Sequence, residues 1–201
     1  MKISEIFASI QGEGRYVGKP QVFVRFTGCN LRCNWCDTKH AWSGGKDMDL
    51  DEAMKEITSY NIASVCITGG EPLFQVMEAQ TLVRELKKKG YEIVLETNGT
   101  LYDCEIFETV DCVSMDMKPP SSGVKSDESL LKHLKQKDQI KIVVKDRNDL
   151  EFAKNIIGKT KVITYLMPEG GKSIKWVVDE VIASKLDVRV LPQLHKLMRI
   201  K

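Results

Sequence analysis

No apolar run in this chain approaches the about 18 residues that a membrane-spanning helix requires, so no membrane span is expected. A surplus of one charge is also missing. The 30 Lys and Arg against 28 Asp and Glu leave a formal net charge of +2, which gives no reason to expect nucleic acid or an anionic membrane as a partner. The opening residues, MKISEIFASIQGEG, lack the apolar centre of a secretory leader, and a cytoplasmic protein is the expectation. Repeats, low-complexity tracts and linkers are absent as well, so residues 1–201 are expected to form one domain with short extensions at both ends. Aromatic residues are sparse at 7%, while 42% hydrophobic and 29% charged residues describe an ordinary soluble globular chain.

What stands out is cysteine. Three of the six crowd into Cys29-Asn-Leu-Arg-Cys33-Asn-Trp-Cys36, too close for normal disulfide partners in a chain of a size that needs no staples. Cys66 and Cys112 sit in Val- and Ile-rich runs and read as small buried hydrophobes; Cys104 lies apart in a helical context.

Short β-like runs alternate with amphipathic ones. Strands are predicted at Val22–Phe26, Val65–Thr68, Glu92–Glu96, Cys112–Asp116, Gln139–Val144, Val162–Leu166 and Val188–Leu191, each bounded by Gly, Pro or polar residues. One helical face carries Val76, Ala79, Leu82, Val83 and Leu86, with Lys87, Lys88 and Lys89 as its solvated end and Gly90 as its stop. A second carries Leu150, Ala153, Ile156 and Ile157 between Asn148 as cap and Gly158. A third runs through Val177, Val178, Val181 and Ile182 behind Ser173. Strand–helix alternation implies parallel strands with helices outside. A closed eight-strand barrel takes about 250 residues, so the fold expected here is α/β, an incomplete, open TIM-like barrel of about six parallel strands. A doubly wound open sheet is the competing architecture. The segment through Gly18 and the tail after Pro192 read as additions to this core.

The unusual segments all follow predicted strands, where parallel α/β folds bind ligands. The cysteine run follows the first, Gly69-Gly70-Glu71-Pro72 the second and Glu96-Thr97-Asn98-Gly99 the third; Asp116-Met117-Lys118 straddles the end of the fourth. Three thiolates without an obvious fourth ligand describe an incomplete metal site. A 4Fe–4S cluster held at three irons, with the fourth iron open, fits that spacing. A zinc site borrowing His40 or Cys66 is the alternative, although zinc cysteines usually come in separated pairs. Glycines directly after a strand let backbone approach a ligand, but Gly-Gly and Asn98-Gly99 also serve ordinary turns.

CxxxCxxC followed by GGEP resembles the radical S-adenosylmethionine superfamily. That resemblance implies a cluster on Cys29, Cys33 and Cys36 whose open iron takes the amino and carboxylate groups of S-adenosylmethionine, and a 5′-deoxyadenosyl radical that abstracts hydrogen from substrate. Within the superfamily, Ile10-Gln11-Gly12-Glu13-Gly14, Val22-Phe23-Val24-Arg25-Phe26 and Trp35-Cys36-Asp37-Thr38 resemble the 7-carboxy-7-deazaguanine synthase family, over nearly the whole chain. The implied reaction converts 6-carboxy-5,6,7,8-tetrahydropterin to 7-carboxy-7-deazaguanine with loss of ammonia, for queuosine or archaeosine precursors, with magnesium. A flavodoxin- or ferredoxin-type donor and a homodimer are implied as partners. A glycyl-radical activase of the same superfamily is the rival enzyme, and a zinc-stabilised nucleic-acid-binding module the rival of another class.

The resemblance places substrate contacts at Ile10, Gln11, Gly12, Glu13, Arg25, Thr68, Gln193, His195 and the terminal carboxylate of Lys201. Candidate cofactor contacts are Trp35, Cys36, Asp37, Gly70, Glu71, Glu96, Asn98, Asp116, Met117, Lys118, Leu166, Met167, Pro168 and Glu169. Asp116-Met117-Lys118 keeps only the lysine of the family's Ser-Pro-Lys. The side chains suit these roles. A glutamine can pair with a pyrimidine-like edge, Glu13 can accept ring N–H groups, and Arg25 can grip a carboxylate. Thr38 offers a hard oxygen for magnesium. Taken without the resemblance, Asp37-Thr38 is an ordinary helix cap, Arg25 a buried charge in need of a partner, and His195 a core or helix-end histidine.

Overall fold

Val- and Ile-rich runs become strands buried on both faces, as parallel strands covered by helices must be. The computed structural model describes residues 1–171 and 174–200. In chain order the strands are β1 (Lys2–Ile10), β2 (Pro20–Phe26), β3 (Lys46–Asp47), β4 (Ser64–Gly69), β5 (Glu92–Thr97), β6 (Cys112–Asp116), β7 (Gln139–Val144), β8 (Ile163–Pro168) and β9 (Arg189–Val190). The helices are α1 (Leu50–Ser59), α2 (Val76–Lys88), α3 (Cys104–Thr109), α4 (Arg147–Ile157), α5 (Ile174–Ala183) and α6 (Leu194–Met198).

The sheet order is β3-β1-β2-β4-β5-β6-β7-β8-β9. From β2 through β4 to β9 every neighbouring pair is parallel, whereas β1 is antiparallel to β2 and β3 antiparallel to β1. Among the described residues no ladder joins β3 to β9, so the sheet is an open α/β arc, as the strand count predicted. Val65, Cys66 and Ile67 on β4 and Ile93, Val94 and Leu95 on β5 are fully buried. On α2, Ala79, Leu82, Val83 and Leu86 face the core, while Lys87 at its C-terminal end pairs with Asp111 at 2.9 Å. Cys66 and Cys112 are buried strand residues, as read; Cys104 is exposed at the start of α3.

The structure corrects several expectations. The N-terminal segment contains a strand that the alternation did not mark: β1, antiparallel and outside the parallel run, pairs with β2 from Ile3↔Phe26 to Ile10↔Pro20. A register shift between Ile3 and Glu5 breaks its alternation, which hides the strand from a period-two reading. Helix α1, opened by a reciprocal capping box between Asp49 and Glu52, is an element beyond those expected. The cap of α4 is Asp146, which accepts from Asp149 N, and not Asn148. Only Arg189–Val190 of Val188–Leu191 is strand. The tail carries α6, packed back against the residues after β1 through Leu194 N to Gly12 O at 2.9 Å. Ser173 and Lys201 lie outside the described residues.

Residues after β1 cross the base of the arc on a polar chain. Gln11 Nε2 donates to Gln21 Oε1, Gln21 Nε2 to Ser64 Oγ, and Ser64 Oγ to Glu92 Oε2. Farther along the same edge, buried Asp138 accepts from Val113 N at 2.9 Å and Lys135 N at 2.7 Å. Asp138→Ala leaves a buried strand N–H without its acceptor, and a loss of roughly 1–3 kcal/mol is expected in urea unfolding.

Candidate active site

The loop after β2 carries the three cysteines, all partly buried. Cys36 N donates to Cys33 O at 3.3 Å, Leu31 N to Cys29 Sγ at 3.4 Å, and Asn98 Nδ2 reaches Cys29 Sγ at 3.8 Å. The Arg32 guanidinium donates to Cys29 O at 2.8 Å and lies 4.7 Å from the Trp42 ring centroid, bracing the loop from outside. Burial pushes the Cys29 and Cys33 thiols up, so the protein alone does not favour thiolates here, and a bound metal would have to displace their protons. Neither proposed zinc partner completes a site. Cys66 is fully buried with Gln11 Nε2 3.7 Å from its sulfur, and His40 turns to Glu5 at 3.2 Å. Among the described residues no three His, Cys, Asp or Glu side chains converge as they would on a single ion. Three thiols spread along one wall suit a cluster that gives each its own iron.

The turn after β4 packs backbone to backbone on that loop. Gly70 N donates to Phe26 O at 3.1 Å and Glu71 N to Gly28 O at 2.8 Å. A Cβ on Gly70 would stand 2.1 Å from Gly28 O and 2.8 Å from Cys29 Cβ; at Gly69, with φ 151°, it would meet Phe26 O at 2.3 Å. Glu71, expected to touch the cofactor, does not reach the cavity. It is fully buried behind the turn, accepting from Leu73 N at 3.1 Å, Asn98 N at 2.7 Å and the Thr97 hydroxyl at 3.0 Å. Burial raises its carboxyl to about 7, with those donors opposing the rise.

Facing the cysteines is the segment after β1. Gln11 lines the cavity, but its amide is already engaged: Oε1 accepts from Glu13 N at 3.2 Å and Nε2 serves Gln21. Glu13 accepts from Gln193 Nε2 at 2.7 Å and from Lys141 Nζ at 2.5 Å. Burial alone would raise the Glu13 carboxyl, but the Lys141 ammonium and these hydrogen bonds bring it down to about 2. Lys141 also reaches Glu96 Oε2 at 2.6 Å; burial nonetheless raises the Glu96 carboxyl. Arg25 Nε donates to Glu5 Oε1 at 2.8 Å, so its buried charge has a protein partner. A Cβ on Gly12 would stand 2.3 Å from His195 Nδ1, and burial lowers the His195 pKa. Thr38 precedes a 3-10 turn, Lys39–Trp42, without capping it through its side chain; its hydroxyl lies 3.7 Å from Cys36 Sγ.

These walls enclose one cavity of about 440 Å³. The Radical SAM superfamily profile matches residues 23–119, from β2 past the end of β6. A 7-carboxy-7-deazaguanine synthase from Thermoplasma acidophilum is 39% identical over 203 residues, covering 98% of this chain and 97% of that protein. The chain belongs to the 7-carboxy-7-deazaguanine synthase family. The synthase of Aquifex aeolicus is 35% identical, with 99% of this chain and 94% of that protein covered. Among solved structures, QueE from Escherichia coli matches with a TM-score of 0.76 at 23% identity, covering 96% of this chain and 94% of that one. Streptococcus suis SuiB bound to S-adenosylmethionine matches at 0.57 and 13% identity, over 85% of this chain and 48% of that one. These two likenesses show the shared fold. Membership in the superfamily brings a 4Fe–4S cluster and S-adenosylmethionine as cofactors.

Most positions singled out by the synthase-family resemblance line the cavity. Ile10, Gln11, Gly12, Glu13, Arg25, Thr68, Gln193 and His195 do so, as do Trp35, Asp37, Gly70, Glu96, Asn98, Lys118, Met167 and Glu169, with the cysteines and Thr38. Asp116 lines it too, with Oδ2 on Lys118 at 2.6 Å and a buried Oδ1 that lacks a hydrogen-bond partner among the described residues. Besides Glu71, three expected contacts lie outside the lining. Met117, just past β6, and Leu166 and Pro168 on β8 are buried and turn away from the cavity, whereas their neighbours Lys118 and Met167 line it. Lys141, Glu5, Trp42 and Lys196 also line it, outside the expected set. Lys141 had a signal, a lysine inside the otherwise apolar run Ile140–Val144.

Gly70→Ala is expected to cost about 3 kcal/mol or more in thermal unfolding, because the opposing atom is backbone, and to reduce iron loading after anaerobic reconstitution. The two perturbed carboxyls predict opposite pH dependences. Glu13, lowered from 4.5 to about 2, contributes stability fully above about pH 4.5 and loses it as pH falls toward 2. Glu71, raised from 4.5 to about 7, stabilises the fold most below about pH 4.5, and that contribution is lost as pH rises through 7. Glu71→Gln should therefore flatten the stability difference between about pH 5 and about pH 8 by up to about 3 kcal/mol. Urea midpoints at both pH values check it, and an unchanged difference would show that Glu71 is already ionised at the lower pH.

Proposed function

We propose that this chain is a radical lyase that converts 6-carboxy-5,6,7,8-tetrahydropterin to 7-carboxy-7-deazaguanine with loss of ammonia, in the supply of 7-deazapurine nucleoside precursors. The observation that carries this reading is the convergence of Cys29, Cys33 and Cys36, the Gly69–Gly70 turn and the Gln11–Glu13 segment on one cavity, in a chain alike over its full length to proteins named for that product. When bound, the cluster and S-adenosylmethionine supply the hydrogen-atom abstraction that starts the reaction.

The protein's part is to bind, orient and exclude water. Cys29, Cys33 and Cys36 hold the cluster. The Gly70 backbone, with Trp35, Asp37, Asn98, Asp116, Lys118, Met167 and Glu169, surrounds the cofactor. Asp116 Oδ1 is a buried acceptor available for a cofactor hydroxyl. Glu13 stays ionised through Lys141 and accepts ring N–H groups of the pterin, next to Gln193 and His195. Arg25 orients the substrate carboxylate while Glu5 holds the guanidinium in place. With Gln11 engaged inside the protein, the segment from Ile10 to Gly12 meets the substrate as part of the cavity wall, and Thr68 adds a hydroxyl beside Arg25, its register partner. Thr38 Oγ1, free of capping duty, offers magnesium one hard oxygen next to the cluster loop. A flavodoxin- or ferredoxin-type protein delivers the electron. The chain acts as a single domain in a homodimer, without nucleic acid, in the cytoplasm; no helix of the described residues is long and apolar enough to cross a membrane.

An anaerobic assay with the carboxy-tetrahydropterin, S-adenosylmethionine, reductant and magnesium tests the reading; no deazaguanine from protein with an intact cluster would defeat it. Thr38→Ala is expected to raise the magnesium needed for half-maximal rate by roughly tenfold, about 1.4 kcal/mol of ion binding. An unchanged magnesium requirement would remove Thr38 from the ion's ligands.

A further inference from the structure

The wall made by β5, β6 and β7 holds charges that the roles above do not account for. Lys141 is almost fully enclosed, its side chain 5% exposed, between Glu13 Oε2 at 2.5 Å and Glu96 Oε2 at 2.6 Å. Its neighbour across the ladder is Asp116, itself tied to Lys118. Three carboxylates thus meet two ammonium groups at the cavity, and the excess is negative. The second oxygen of Glu13 is taken by Gln193. The second oxygen of Glu96 is buried and has no hydrogen-bond partner of proper geometry among the described residues, although the nearby Ser114 hydroxyl eases its charge. A buried carboxylate oxygen without a donor is costly in the empty protein and becomes a strong acceptor once a donor arrives.

We propose that Lys141 is a positioning residue of the substrate subsite: by holding Glu13 and Glu96 as a fixed carboxylate pair, it aims Glu96 Oε1 at an N–H of the bound pterin ring. Glu96, grouped above with candidate cofactor contacts, then belongs with Glu13 on the substrate side. The ammonium need not touch the ligand. Its work is to keep two acids ionised side by side, where like charges would otherwise drive one to take up a proton and lose its accepting capacity. The inference rests on the carboxy-tetrahydropterin reading.

The test is anaerobic calorimetric titration of the cluster-reconstituted protein with the carboxy-tetrahydropterin and, separately, with S-adenosylmethionine. Wild type is compared with Lys141→Met, Glu96→Gln and the double variant. Lys141→Met and Glu96→Gln should each weaken pterin binding roughly 10- to 100-fold, as expected for losing a hydrogen bond to a charged group. Affinity for S-adenosylmethionine and iron content should stay at the wild-type level. The double variant should be no weaker than the weaker single one, because both changes remove the same contact. If Lys141→Met does not fold, Glu96→Gln decides the matter, since it keeps the side chain's size and leaves Lys141 paired with Glu13. Equal losses for both ligands, a loss for S-adenosylmethionine alone, or unchanged pterin affinity in the folded variants would each overturn the proposal. Wild type that fails to bind the pterin would overturn the substrate reading itself, and this proposal with it.

Discussion

Two backbones in near contact govern this protein. Phe26 to Cys29 and Gly69 to Glu71 continue the parallel ladder of β2 and β4 past the end of the strands, at a separation that leaves no room for a side chain on either glycine. Everything at the rim takes its position from that junction. The cysteine loop starts from it, the Gly69–Gly70 turn lies against the first cysteine, and Glu71 anchors the turn to Thr97 and Asn98 on the next strand end. Glu71 therefore ties three consecutive strand ends together, its backbone N–H holding the loop after β2 and its buried carboxylate the end of β5, with ionisation opposed by burial and supported by two backbone N–H groups.

The remainder of the cavity is an exercise in burying charge with partners. Glu13 and Glu96 share Lys141, Asp116 has Lys118, and Arg25 has Glu5. Breaking any of these pairs would strand a charge in a poorly solvated wall, which costs more than the pair itself contributes. Among the described residues the pairing is incomplete at two buried oxygens, Glu96 Oε1 and Asp116 Oδ1, and both residues line the cavity. Buried polar groups are almost always satisfied, so two exceptions in one lining mark where a ligand's donors belong. The segment after β1 and the short helix α6 close the site from the other side, joined through Gln193 to Glu13 and Leu194 to Gly12.

Much of this was legible beforehand, and the failures have physical causes. Strands β6 and β7 match their predicted limits because apolar runs end abruptly at charged or polar residues. A register shift masks the alternation of β1, and the many charges of a short amphipathic run mask α1 despite its capping box. The cysteines, Gly70, Glu13 and Thr38 could be picked out because their chemistry is visible in residue type and spacing. Glu71, Met117 and Leu166 lie outside the lining, which residue type could not show: on a strand such as β8 a shift of one residue, from Met167 to Leu166, reverses the direction of a side chain, and Glu71 is drawn behind its turn by donors from the next strand end. Gln11 lines the cavity as its residue type suggests, but that its side chain also braces the interior depends on Gln21 and Cys66, which come from other parts of the chain.

By itself the sequence determined the parallel α/β plan, the three-thiolate loop, the glycine turn and the family, since these follow from local periodicity and from motifs only a few residues long. Tertiary structure alone decided which charges meet. Lys141 lies 128 positions from Glu13, and Gln193 lies 180 from it, so nothing local in the chain could announce that they share one carboxylate. Electrostatic energy depends on distance and burial, and both exist only once the sheet has curved and brought its strand ends to one rim.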